Sequence, residues 1–291
     1  MLKLPHLLQL HIIILLWGFT PVLGKLITLP ADELVIYRLL ISGIALWLFI
    51  KYKKIAFRIN LREFAEMMLM GFIVGFHWYT FYQAIKVSNV SMAMAGFATI
   101  TLFASVLQPL LLNKKFFAGD LIYGLFIVAG LYIILNFESV RYFGIVYGIL
   151  AAFSGAFFGV YNGKLIAKHQ ATVITLTEFF GALVALFFFR FLETGTMLVS
   201  IPNLSDTFYL VLLSVFCTTL AFTWSISILK HFTPFTVIMT NNLEPVYGIA
   251  FSLLLFGTSE FMSWGFYAGA AIILISVFTY PIIHKYFQSE S

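Results

Sequence analysis

Apolar residues run along this chain in blocks of about 20, long enough to cross a bilayer as helices. Ten such blocks can be drawn, at 7–27, 33–51, 65–85, 90–112, 120–136, 143–166, 172–192, 207–229, 234–256 and 264–284. The polar breaks between them are short and leave no room for a separate catalytic domain. One block departs from the pattern. Thr240-Asn241-Asn242-Leu243-Glu244-Pro245-Val246-Tyr247 puts two Asn and a Glu within four residues in mid-span. An acid at bilayer depth costs roughly 2.5–3.5 kcal/mol, so this cluster is expected to face a wet cavity or a partner helix. Pro245 has no N–H to donate four residues back, which predicts a free carbonyl at Asn241.

Composition agrees with the block pattern. The 291 residues are 62% hydrophobic and 10% charged, against about 25% charged in soluble domains. The chain reads as an all-α, multi-pass membrane protein. No small-residue cleavage site precedes Trp17, so the first block is expected to be a retained span and not a removed signal. The single cysteine, Cys217, excludes a disulfide framework or a cysteine metal cluster and is expected to be a small buried residue. The net charge of +5 does not point to nucleic acid, because the bases are scattered through the short breaks. They sort by side instead. Twelve (Lys3, Lys51, Lys53, Lys54, Arg58, Arg62, Lys114, Lys115, Lys164, Lys168, Lys230 and Lys285) fall on the side of the N-terminus. Four (Lys25, Lys86, Arg141 and Arg190) fall opposite. The positive-inside bias predicts both termini in the cytoplasm.

Ten blocks divide as five plus five, 1–138 and 139–291. Blocks 1 and 6 both end in Gly-Lys, at Gly24-Lys25 and Gly163-Lys164, and blocks 3 and 8 carry late aromatics, Tyr82 and Trp224. Because five is odd, two fused copies must be oppositely oriented, which is an architecture of many secondary transporters with a site at the repeat interface. Trp17-Gly18-x-x-Pro21-x-x-x-Lys25, Arg38, Leu243-Glu244-Pro245 and Gly257-x-x-Glu260 together resemble the EamA family of the drug/metabolite transporter superfamily, over nearly the whole chain. The resemblance implies ten transmembrane helices as two inverted five-helix repeats. Their central cavity would be lined mainly by helices 1, 3, 4, 6, 8 and 9, in a carrier that exports amino acids, purines or other small metabolites. Helix 4 departs from the pattern: Phe103 falls opposite Pro245.

Several side chains could serve such a cavity. On helix 9, Asn241, Glu244 and Tyr247 share a face. Glu244 could couple protons, bind a substrate amine, or bond a neighbouring helix. On helix 3, Gly71, Gly75, Trp78 and Tyr82 share a face with His77 beside it. His77 is either a substrate or proton ligand or a satisfied core histidine. On helix 4, Ala98, Thr101, Ser105 and Gln108 form a stripe that is either pore lining or a close helix contact. Trp17, Thr20, Pro21 and Gly24 make a gate or a static kink in helix 1. Asn162 is expected to face protein. Ser154, Tyr161, Ser214, Thr218, Trp224 and Ser225 are further polar positions, with Tyr161 and Trp224 in an aromatic belt by default. Arg38 and Glu178 read as structural, Arg38 snorkelling outward and Glu178 favouring the start of its helix dipole.

The reading is a secondary-active transporter of small metabolites in the inner or plasma membrane. Glu244, Asn241, His77, Gln108 and Asn162 would hold substrate, flanked by Trp17, Trp78, Tyr82 and Tyr247. Its partners would be a small molecule, the lipid bilayer and, as a candidate coupling ion, protons; no cofactor or metal is implied. No P-loop occurs, so ATP drive is not encoded here. An intramembrane enzyme is the alternative, disfavoured because no His-Glu-x-x-His pattern or mid-span Asp is present. A non-transporting receptor is the other, disfavoured by the short loops.

Overall fold

A computed structural model describes residues 5–113 and 119–288. Helices occupy each of the ten predicted blocks, and the described residues form no strands. We label them α1 (His6–Gly18 and Thr20–Leu26), α2 (Ala31–Tyr52), α3 (Leu61–Val87), α4 (Val90–Phe97 and Ile100–Leu112) and α5 (Gly119–Phe137). The second half holds α6 (Tyr142–Leu165), α7 (Ala171–Thr194), α8 (Leu204–Leu212, Leu213–Leu220 and Ala221–Ile228), α9 (Pro234–Thr240 and Leu243–Phe256) and α10 (Trp264–Gln288). Among the described residues, six helices are long and apolar enough to span a membrane by themselves. Lys3, Lys114 and Lys115, used above for topology, lie outside the described residues.

Polar residues punctuate the helix starts. Asn60 and Glu63 form a reciprocal capping box at α3, and the side chains of Asn89, Asn203 and Thr233 cap α4, α8 and α9. Each satisfies a backbone N–H that a helix start leaves open.

The packing repeats with a shift of five. α3 lies against α6 and α7, and α8 lies against α1 and α2; α4 packs on α6, and α9 on α1; α5 packs on α10. Small residues permit the closest crossings. A Cβ on Gly71 would come within 2.3 Å of the Glu178 carbonyl oxygen, and one on Gly96 within 2.6 Å of the Ile145 carbonyl oxygen.

One end of the bundle is tied by charge. The Glu260 carboxylate, fully buried after α9, meets Lys25 Nζ at 2.7 Å and accepts from the Val90 and Ser91 backbone N–H groups (3.2 and 3.0 Å) and from Ser91 Oγ (3.0 Å). It thus closes α1, α4 and α9 together at the positive end of the α4 dipole. Asp206, at the start of α8, accepts from Thr28 N and Oγ1, both at 2.7 Å. Arg190 pairs with Asp32 and, at 2.7 Å, with Glu33. The other end is looser: Lys164 stands 3.9 Å from Glu66, which also receives the Tyr161 hydroxyl, and His169 stands 3.5 Å from Glu63.

The α3–α7 crossing makes a stability prediction. Gly71→Val should lower the melting temperature or abolish monodisperse protein, since overpacking costs roughly 1–3 kcal/mol or more. Gly43→Val, where an added Cβ meets nothing within 4 Å, should leave both unchanged in the same thermal and size-exclusion measurements.

Candidate functional site

The buried interior contains a cavity of about 80 Å³ lined from α1, α2, α3, α4, α6, α8 and α9. Three of the helices that line it are interrupted there. α1 breaks at Phe19, α4 at Ala98–Thr99 and α9 at Asn241–Asn242. The α4 break forms without a proline, at the position that matches the α9 break by sequence spacing.

Six of the nine residues singled out from the sequence line the cavity: Glu244, Asn241, His77, Trp17, Trp78 and Asn162. Three do not. Gln108 turns to the start of α9, where its Oε1 accepts from the Phe235 backbone N–H at 2.8 Å. Tyr82 is fully buried behind the cavity as a partner of Arg38. Tyr247 lies at the α1–α9 contact, against Gly18, with its ring stacked on Phe251. The expected free carbonyl is also absent, because the Asn241 oxygen accepts from the Glu244 N–H at 2.8 Å in the turn that breaks α9. Asn242 points away from the cavity and donates to Thr101 Oγ1 of α4. Tyr161 bonds Glu66, and Trp224 donates to Gln9 at 2.8 Å.

Arg38 corrects the expectation of an outward snorkel. It is 2% exposed and lines the cavity. Its Nε donates to Thr218 Oγ1 at 2.6 Å and its Nη1 to the Tyr82 hydroxyl at 2.9 Å, and its Cζ lies 4.0 Å from the Trp78 ring centre. Snorkelling is unnecessary when protein supplies the partners that water would. Two features far away in sequence make this possible. Residues Leu213–Leu220 of α8 adopt π-helical register, with Thr218 Oγ1 donating to the Leu213 carbonyl at 2.7 Å. That turn also presents the Cys217 carbonyl to Trp17 Nε1 at 3.1 Å. Gly24 of α1 leaves the space that the Tyr82 ring fills; a Cβ there would stand 2.4 Å from Tyr82 Cε1.

The remaining wall is aromatic. Trp78 meets Phe222 edge-on at 5.5 Å, and His77 meets Phe158 edge-on at 5.2 Å and Phe97 at 5.8 Å. His77 Nδ1 is 2.7 Å from the Ala151 carbonyl oxygen, so Nδ1 carries a proton and donates. The carboxylate of Glu244, a residue 6% exposed, makes no hydrogen bond or ion pair among the described residues. The cavity therefore combines an arginine held by protein, a carboxylate left without a partner, amide groups and flat apolar surfaces.

The sequence matches the EamA-like transporter family over residues 5–136 and 142–280. The chain belongs to the EamA-like transporter family. No curated protein matches the sequence significantly. A solved chain described only as the crystal structure of a protein shares the fold, with 14% identity, a TM-score of 0.69 and coverage of 97% of this chain and 98% of that one. As an EamA-like protein the chain is a multi-pass membrane protein of a transporter family, and residues of both matched segments line its cavity.

The arginine clamp gives the site a measurable dependence. Thr218→Val should destabilise this EamA-like protein by roughly 1–3 kcal/mol, because it leaves a buried charged donor unpaired. Thermal unfolding in detergent checks it. Thr223→Val, whose hydroxyl has no partner in the structure, should change the unfolding temperature far less.

Proposed function

We propose that this EamA-like protein is a secondary-active transporter that moves a small amphipathic metabolite by alternating access, with amino acids the first class to test. The observation that carries this reading is the shared cavity of Arg38 and Glu244. One supplies a fixed cation for an anionic group, and the other an open carboxylate for an ammonium or another donor. Trp17, Trp78, Phe158 and Phe222 supply the surface for an apolar side chain. Asn241 and Asn162 add amide contacts, and His77 faces the same space.

In this reading residues 1–138 and 139–291 are two five-helix repeats of opposite orientation, and all ten helices cross the inner or plasma membrane with both termini in the cytoplasm. The shift-of-five packing supports it, as does the basic character of one set of loops. Leu229, Val237 and Asn162 continue the cavity toward the Lys164 end, which is then the cytoplasmic side, while Glu260 and Lys25 close the opposite end. Export is the direction taken from the family resemblance. By the same measure one water needs about 10–15 Å³, so the cavity has room for a few waters, and a metabolite must widen it on entry.

Counterflow in proteoliposomes against a panel of amino acids tests the transport reading, with binding and no counterflow as the outcome that overturns it. Glu244→Gln should cut the flux by roughly 10- to 100-fold, the loss expected for one charged hydrogen bond, at normal expression and monodispersity. Unchanged flux would remove Glu244 from the site.

The topology has its own test. In a Cys217→Ser background, Lys53→Cys after α2 and Met197→Cys after α7 occupy exposed, matching loops of the two repeats. An impermeant maleimide should label them from opposite sides of the membrane, and same-side labelling refutes the inversion.

A further inference from the structure

Most acids buried deep in this protein have strong partners. Glu260 has Lys25, Glu33 has Arg190, and Asp206 accepts twice from Thr28. Glu178 of α7 is different. It is fully buried, and its carboxylate accepts one hydrogen bond among the described residues, from Asn162 Nδ2 at a long 3.4 Å. Among the described residues its Oε1 has no partner, and neither has Asn162 Oδ1, nor Thr175 Oγ1 one turn earlier on α7.

The charged and titratable groups on the elements packed against α7 are engaged elsewhere. On α3, Glu63 faces His169, Glu66 faces Lys164 and Tyr161, and His77 bonds Ala151. On α2, Arg38 is held by Thr218 and Tyr82, and Asp32 and Glu33 hold Arg190 at the far end of α7. On α8, the face toward the cavity carries Ser225 and Phe222 and no charge.

An anion in this place would bear its full desolvation cost against one weak donor. A neutral acid gains an O–H, and the acceptor still open on its one partner is Asn162 Oδ1. Acid and amide then exchange two hydrogen bonds, and two orphaned oxygens are satisfied at once. Asn162 also lines the cavity, with its Oδ1 closed off in this state, so a ligand that widens the cavity to reach that oxygen acts on Glu178.

We propose that Glu178 is the binding site of a coupling proton and that Asn162 links its loading to occupancy of the cavity. A ligand ammonium that takes Asn162 Oδ1 as acceptor removes the partner of the Glu178 O–H and brings beside it the positive charge that the carboxylate otherwise lacks. The proton leaves to cavity water, one proton and no electrons move, and the Asn162 N–H stays on the carboxylate. Ligand and proton therefore compete for one amide oxygen, which makes the pair an antiport. The inference rests on the transporter reading above for its cavity ligand, and on Glu178 and Asn162 alone for its proton.

Infrared difference spectra of purified protein, recorded between neutral and alkaline pH without any ligand, test the proton site. A carboxylic C=O band that shifts in D₂O should be present in the wild type and diminished in Glu178→Gln. Spectra of the two proteins with identical carboxylic bands overturn the site. Coupling is read in proteoliposomes with radiolabelled L-leucine. Glu178→Gln should keep leucine counterflow and lose pH-gradient-driven accumulation by on the order of tenfold or more. Accumulation equal to wild type overturns the coupling. A trapped pH dye in wild-type vesicles should report proton movement opposite to net leucine flow, and no pH change again overturns it, with no variant needed. If wild-type vesicles move no leucine, the substrate reading of the previous section has failed for that amino acid, and the infrared comparison still decides the proton site.

Discussion

A guanidinium in the middle of an apolar bundle has five N–H donors and no water to receive them, and the interior of this protein is arranged around that demand. Arg38 takes its partners from α8 and α3 and sets its Cζ over the Trp78 ring. Each partner in turn requires something of its own helix. Thr218 is delivered by a π-helical stretch, Tyr82 by a glycine on α1, and Trp78 by packing against Phe179 and Phe222. Four helices are therefore committed by one side chain. The cavity exists where that commitment leaves Glu244 unanswered, and the polarity of the site follows from which charge is satisfied by protein and which is not.

The two ends of the bundle differ in the same currency of buried charge. At one end, Glu260 joins an ammonium and the start of α4 in a single short network. At the other, the start of α9 is met by the neutral amide of Gln108, while Lys164 remains half exposed at 3.9 Å from its acid. In the alternating-access reading proposed above, the tighter clasp at the Lys25 end favours the state closed on that side.

The helices were legible in the sequence because each needs only an apolar run and a polar cap, both of which are local. Glu244, Asn241, His77 and Asn162 were legible for a related reason: a polar side chain deep in a span has few places to go, and the cavity is one of them. Arg38 was misjudged because its position one turn from a helix end suggested an exit to water. Nothing near it in the chain announces Thr218, 180 residues away. Gln108 and Tyr82 were assigned to the cavity by type and spacing, but the start of α9 and the guanidinium claim them. The Asn241 carbonyl was expected to be free because proline rules assume an unbroken helix; here the helix breaks first and the Glu244 N–H takes the oxygen.

The π-helical stretch of α8 has a consequence for how the two halves can diverge. Its wider winding takes up chain without advancing the helix by the usual amount, and the hydroxyls of Thr218 and Thr219 reach back five residues, to the carbonyls of Leu213 and Ser214. α3, which stands in the corresponding place of the first half, runs as one α-helix from Leu61 to Val87. The phase of α8 beyond residue 220 is thus set by surplus chain and not by its sequence alone. Loss of a single residue between 213 and 220 would let the stretch wind as an ordinary α-helix, with the residues beyond it near their present phase. The same loss inside the regular α3 would turn everything after it by about 100°. Phe222 and Ser225 would stay near the cavity wall while the Cys217 carbonyl and the Thr218 hydroxyl turned away from Trp17 and Arg38, so in this helix a deletion would remove the polar contacts of the site and leave its aromatic surface.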